Sequence, residues 1–322
     1  MNIPVFDLHC DTATTVLGND CRPLDRLRRR KGHIDLERGA ALAGYAQVFA
    51  IFTTPGMEPK GVHPPEEIAS AAIKNLLEEL DRNRDLIARA STPDEISNIV
   101  DSGKIAAILS IEGPAGIGFD PERLSEMYEL GVRLSTLGWN EGNVLTGSHK
   151  TGEGLTDLGR AYVRECQRLG ILVDVSHISD RGFWDIMDMT QAPIVASHSN
   201  SRRICNVSRN LTDEMFLEIC GTGGTVGINL YTEFLKADRA SLDDVCDHVL
   251  HFLELDPSGT HISLGGDLDG CDRLPDGFYG IESYHKLSSR LLERGIGIEI
   301  LRNIFWNNAM GVMERAVQVN KK

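Results

Sequence analysis

Four apolar runs in this 322-residue chain end on side chains that bind divalent metals. The first, Val5-Phe6-Asp7-Leu8-His9-Cys10-Asp11-Thr12, leads straight into His-x-Asp. A strand sends residues i and i+2 to one face, so His9 and Asp11 point together and Cys10 points away, toward packing. Glu112 follows the run 105–111, His177 follows 171–176 and His198 follows 194–197. Each alone has an ordinary explanation: a surface pair, a helix cap, a solvated loop, a structural histidine. Together, five nitrogen and oxygen donors at strand ends point to a metal centre. A donor set without thiolate suits zinc, with manganese or cobalt as alternatives. Five ligands, one of them a carboxylate able to bridge, suit two ions about 3.5–4 Å apart. Such a pair turns a bridging water into hydroxide at neutral pH and polarises a carbonyl, so the expected chemistry is hydrolysis of an amide, ester or phosphoester.

Hydrolysis also needs a group that takes a proton from water and returns it to the leaving group. The segment Leu264-Gly265-Gly266-Asp267-Leu268-Asp269-Gly270 puts Asp267 just past a strand on the same rim, with Asp269 as the rival if the strand ends later. Arg202, Arg203 and Arg209 follow His198. An arginine fork could clamp a substrate carboxylate. The three could equally be solvent-facing partners of Asp213 and Glu214, and spacing does not choose among them.

Eight short runs read as strands: Val5–His9, Ala46–Phe52, Ile105–Ile111, Val132–Leu137, Ile171–Val175, Ile194–Ala196, Thr225–Ile228 and Ile262–Leu264. Nearly continuous hydrophobicity suits parallel strands buried on both faces. Helix starts lie between them, at Pro64-Pro65, Thr156-Asp157, Ser179-Asp180, Thr212-Asp213 and Ser241-Leu242. Alternation of this kind, with polar residues gathered at strand C-termini, predicts a TIM-type (β/α)8 barrel of the α/β class, with an open doubly wound sheet as the alternative. The only glycine-rich turn of note, Gly221-Thr222-Gly223-Gly224, precedes a strand and is no dinucleotide fingerprint. No linker or repeat interrupts the chain, so residues 1–322 read as one domain. The basic run around Arg26–Lys31 reads as a solvated loop insertion after the first strand.

Apolar residues make up 41% of the chain and charged residues 25%, the balance of a globular protein. A net charge of −14 argues against nucleic acid or an anionic membrane as partner. No run approaches the roughly 20 apolar residues of a membrane span. The N-terminal stretch lacks a basic segment followed by a hydrophobic run, and the seven cysteines show no paired spacing. A cytoplasmic protein with reduced thiols is expected.

The segments Asp7-Leu8-His9-Cys10-Asp11-Thr12, Gly32-His33-Ile34-Asp35-Leu36, Ser110-Ile111-Glu112-Gly113, Asp174-Val175-Ser176-His177, Ala196-Ser197-His198-Ser199-Asn200, Ser208-Arg209-Asn210-Leu211 and Gly265-Gly266-Asp267-Leu268-Asp269-Gly270 resemble, in this order, the membrane dipeptidase (renal dipeptidase) family of M19 metallopeptidases. The resemblance implies a barrel with two zinc ions, one held by His9, Asp11 and Glu112 and the other by Glu112, His177 and His198. It implies that Glu112 bridges, that Arg209 holds the substrate's free carboxylate and that Asp267 shuttles the proton. The implied substrates are dipeptides, with tolerance for a D-residue at the C-terminal position, and family members are often homodimers. The chain departs from the animal pattern after the fourth strand, where Trp139 of Ser135-Thr136-Leu137-Gly138-Trp139-Asn140 stands in place of a substrate-contacting histidine. Trp139 and Asn140 are thus expected at the substrate, with His149 as a candidate substitute. Two other readings stay open. One is an amidohydrolase acting on N-acyl amino acids, lactones or phosphotriesters. The other is a metal-stabilised barrel without turnover.

Overall fold

The computed structural model describes residues 3–55 and 63–319. Nine strands form among the described residues: β1 (Val5–Cys10), β2 (Tyr45–Phe52), β3 (Ile87–Arg89), β4 (Ile105–Glu112), β5 (Val132–Thr136), β6 (Leu172–Asp174), β7 (Ile194–Ala196), β8 (Thr225–Ile228) and β9 (Ile262–Leu264). All pairings are parallel. The pairing of β2 with β4 closes a ring of eight strands, β1-β2-β4-β5-β6-β7-β8-β9. This is the expected (β/α)8 barrel, and its eight strands are the eight predicted runs. The three-residue β3 lies outside those runs. It pairs with β4 over Ile105–Ala107, while β5 pairs with β4 over Leu109–Ile111, so the two share one edge end to end.

The register shows what fills the barrel. Phe52 and Glu112 are partners and both line the open cavity at the strand C-termini. Two-residue periodicity then turns Val48, Ala46, Ile108 and Ala106 toward the axis. These residues pack with Phe6, Leu8, Leu134, Leu172 and Val195 in one buried cluster, joined by Ala309, Met310, Val312 and Met313 of the last helix, Asn308–Val319. That helix seals the N-terminal end of the barrel, anchored where Asn308 Nδ2 donates to the carbonyls of Gly259 and Ile262.

The helix starts follow their caps. The Thr156 and Thr212 hydroxyls accept from the third residue of their helices, Gly159 and Met215, and Ser179 accepts from Gly182. A capping box opens Leu242–Leu255 at Ser241. No helix among the described residues is long and apolar enough to cross a membrane.

One expectation needs correction. The basic loop after β1 is not simply solvated. The Arg30 side chain is only 9% exposed, and its guanidinium pairs with Asp269 at 2.5 Å. Asp269 Oδ1 also accepts from the His33 amide, and its own amide donates to His33 Nδ1. The loop is thus clasped onto the segment carrying Asp267.

Candidate metal centre

Each donor reaches the rim by a different local device. A register shift between Asp7 and Cys10 breaks the alternation of β1, so Asp7 meets Tyr284 of the flanking helix while His9 faces the cavity side. Asp11 leaves the strand at the N-cap position of the short helix Thr12–Thr15, its side chain making no capping bond. Glu112 is the last residue of β4. His177 and Asp267 both hold left-handed backbone, at φ 69° and 55°. For non-glycine residues this costs on the order of 1–3 kcal/mol each, the kind of strain found at functional sites.

The side chains converge. His9 Nε2 lies 3.3 Å from Glu112 Oε2 and 3.6 Å from Asp11 Oδ2. Glu112 Oε1 faces the other way, 3.0 Å from His177 Nε2 and 3.6 Å from His198 Nε2. The two imidazole nitrogens are 2.9 Å apart. Donors around a tetrahedral zinc with bonds of about 2.0–2.1 Å sit roughly 3.3 Å from one another, so both groups have the spacing of ligands around a cation. His9 Nε2 and Asp11 Oδ1 are moreover buried without a hydrogen-bond partner, which buried polar atoms rarely tolerate. The residues present fit divalent metal: His9, Asp11 and Glu112 form one donor group and Glu112, His177 and His198 another, with Glu112 common to both.

The electrostatics agree. Burial works against a charged His9, yet Glu112 and then Asp11 raise its pKa well above the ordinary value. Burial, with Glu112 adding, pushes Asp11 up to about 6. Asp267 rises to about 8, again through burial first. His177 and His198 fall well below the usual range through burial and the cations near them, so both rings are neutral. Carboxylates crowded this closely invite positive charge between them.

Asp267 Oδ1 stands 4.0 Å from His9 Nε2, and Asn229 Nδ2 donates to its Oδ2 at 3.1 Å. Asp269 is taken up by Arg30, His33 and Thr12, which leaves Asp267 as the carboxyl facing the donors. The adjoining cavity, about 480 Å³, is lined by Asp11, Glu112, His177, Asp267, Trp139 and Asn140, with Phe52, Tyr231 and Phe234 among its walls. That volume lies in the range of small-molecule sites.

The loop residues divide. Trp139 stands beside Phe52, with ring centroids 5.0 Å apart. Asn140 Oδ1 meets both His177 Nδ1 (2.9 Å) and His149 Nε2 (3.0 Å). His149 is outside the cavity lining, bonded also to Ser208 Oγ, and burial lowers its pKa to about 4. It therefore braces Asn140 as a neutral ring rather than facing the cavity. Arg202 pairs with Asp180, not with Asp213 or Glu214. Asp213 instead meets His251. Arg209 is buried behind His177, its three nitrogens 3.2 Å from His177 Nδ1, Ser199 Oγ and the His198 carbonyl. Burial draws its pKa down to about 10, so it stays cationic at neutral pH.

Sequence reading misses the supports beneath these residues: Asp7, Asp174, Ser197 and the Arg30–Asp269 pair. The only signal is their presence inside the motifs. A further Cys220, Asp256, His261 group lies at the opposite end of the barrel. Its Asp256 already accepts four hydrogen bonds from its own turn.

Fold and centre together define a (β/α)8 barrel with a candidate metal centre at its C-terminal rim. The family model described as membrane dipeptidase, peptidase family M19, matches residues 1–322, and the chain belongs to that family. Among solved structures it is similar to a metallopeptidase from Rhodobacter sphaeroides bound to a phosphinate mimic of L-Ala-D-Ala: 28% identity, TM-score 0.85, 98% of this chain and 100% of that one. Two dipeptidases of Schizosaccharomyces pombe, both described as uncharacterized, are 35% identical over 214 residues and 31% identical over 286 residues. Those alignments cover 65% and 82% of this chain. They span 52% and 68% of the relatives, so this chain matches only about half the length of the first. A dipeptidase from Aspergillus oryzae is 34% identical, covering 71% of this chain and 56% of that protein.

Proposed function

We propose that this chain is a zinc-dependent dipeptidase. The observation that carries the reading is the split orientation of Glu112, one oxygen toward His9 and the other toward His177 and His198. A carboxylate presented in this way suits a bridge between two cations held by His9, Asp11, Glu112, His177 and His198. When bound, such cations supply a water of lowered pKa and a Lewis acid for the scissile carbonyl.

The protein's own residues do the rest. Asp267, raised to about 8 by burial, faces the donors and is placed to take a proton from the attacking water and deliver it to the leaving amine. Asn229 holds its second oxygen and fixes its direction. Trp139 can donate one hydrogen bond from its indole N–H but carries no charge, so with Phe52 it contributes mainly an aromatic wall. Arg209, behind His177 and outside the cavity lining, spends two of its five N–H donors on Ser199 Oγ and the His198 carbonyl and keeps its charge to draw in a substrate carboxylate. The ligand described for the Rhodobacter sphaeroides relative supports including L-D dipeptides among the substrates.

The test is a panel of L-L dipeptides, L-D dipeptides and N-acyl amino acids assayed with the metal-loaded protein, after chelation and after zinc is returned. The reading expects dipeptide hydrolysis that chelation removes and zinc restores, and that requires a free C-terminal carboxylate. Hydrolysis indifferent to chelator, or a metal-loaded protein inert on every dipeptide, would overturn it.

A further inference from the structure

Beneath the two faces of the centre lie two buried aspartates that bond in the same way. Asp7 Oδ1 accepts from the amide of His9, two residues on, and from the amide of Gly266 past β9, both at 3.0 Å. Asp174 Oδ1 accepts from the amide of Ser176, again two residues on, and from the amide of Ser197 past β7, both at 2.9 Å. Each carboxylate therefore ties a strand end to its neighbour. One tie sets His9 against Asp267, and the other sets His177 against His198. The second oxygens differ. Asp7 Oδ2 accepts from the Tyr284 hydroxyl, which leads away to the flanking helix. Asp174 Oδ2 accepts from the Ser197 hydroxyl, and Ser197 Oγ lies 2.7 Å from His198 Nδ1.

Proton counting gives the second tie a direction. A carboxylate only accepts, so the single Ser197 proton points to Asp174. Ser197 Oγ must then accept from His198, which places the ring proton on Nδ1 and leaves Nε2 with a bare lone pair. That Nε2 is the atom 3.6 Å from Glu112 Oε1 and 2.9 Å from His177 Nε2. We infer that Asp174 and Ser197 are positioning residues that lock the tautomer of His198, so that a lone pair rather than an N–H faces the metal position. The inference rests on the reading of His198 as a metal donor. It extends that reading to a residue 24 positions earlier in the chain that touches neither cavity nor substrate.

Asp174→Asn is the decisive variant. The amide oxygen can still take both backbone N–H groups, but its NH₂ then donates to Ser197 Oγ. The hydroxyl then turns to His198 Nδ1 at 2.7 Å, a nearer acceptor than Ser176 Oγ at 3.4 Å, and the ring proton moves to Nε2. Ser197→Ala removes the relay without reversing it, and Ser197→Thr restores the hydroxyl. Asp7→Asn, whose second oxygen leads only to Tyr284, leaves the His198 proton where it is.

Nitrogen-15 NMR of the metal-free full chain reads the proton position directly. The expected result is Nδ1–H in the wild type, in Ser197→Thr and in Asp7→Asn, and Nε2–H in Asp174→Asn. Zinc affinity measured by chelator competition should fall about 10–100-fold in Asp174→Asn, by less in Ser197→Ala, and recover in Ser197→Thr. An Nε2–H ring in the wild type, or wild-type zinc affinity in both Asp174→Asn and Ser197→Ala, would overturn the inference. If the wild type binds no zinc at these residues, the proposed function fails, and the NMR result alone then decides the relay. Should Asp174→Asn fail to fold, the Ser197→Ala and Ser197→Thr pair decides.

Discussion

The two ends of the barrel are made from the same strands and obey opposite rules. The N-terminal end is a dry plug, in which Phe6, Val48, Ile108, Leu134 and Val195 meet Val312 and Met313. The C-terminal rim buries His9, Asp11, Glu112, His177 and His198 within a few ångströms of each other, holds His177, Asp267 and Asp269 in left-handed backbone and leaves His9 Nε2 and Asp11 Oδ1 unpartnered. Strand β1 spans the contrast, carrying Phe6 in the plug and His9 at the rim. The fold secures its stability at one end and concentrates unfavourable electrostatics at the other, the division expected when active sites sit at strand C-termini.

The sharpest break of this comparison is His198→Ala. The variant should lose metal at the Glu112–His177 side and with it all measurable hydrolysis, while the metal-free protein keeps its melting temperature. Metal analysis, rate and thermal unfolding on one sample check all three. Next comes Asp267→Asn, which should keep its metal yet lose about 10²–10⁴-fold in kcat. Loss of metal together with rate would make Asp267 a ligand instead. At the other end, Met313→Ala should cost about 2–5 kcal/mol of stability by opening a cavity in the plug. Its kcat/KM should stay at the wild-type value, and a matching loss of activity would show that the two ends are coupled.

A smaller effect comes from His248, buried on the helix Leu242–Leu255. The Ser201 amide donates to its Nδ1 and its Nε2 meets the Leu235 carbonyl, so the ring is held neutral and burial lowers its pKa to about 4. The unfolded chain, with an ordinary histidine near 6.5, binds the proton first as pH falls. Stability from this group is therefore complete above about pH 6.5 and lost progressively toward about pH 4, by roughly 3 kcal/mol in all. Denaturant titrations across that window should show the decline, and His248→Gln should flatten it. The smallest effect expected is His149→Ala. This ring only braces Asn140, so kcat/KM for a good dipeptide should change by less than about tenfold.

Much of this architecture is legible in the amino-acid sequence. The eight barrel strands announce themselves as continuous Val, Ile and Leu runs, because a strand buried on both faces leaves no room for polar alternation. The donors are visible because each ends such a run. β3 is not, since three residues between a helix and a capping box carry too little pattern. The supports are hidden for another reason. Asp174 and Ser197 are 23 residues apart, and Arg30 and Asp269 are 239 apart. A charged residue with a distant partner reads as solvated until the fold brings the partner in.

The proposed function requires Glu112 to stand between two cations at one rim. Zinc-edge anomalous diffraction from crystals of the full chain grown with zinc tests it most directly. Two peaks are expected, one within coordination reach of His9, Asp11 and Glu112 and the other within reach of Glu112, His177 and His198. A single peak remote from Glu112, or none at the rim, would contradict the account.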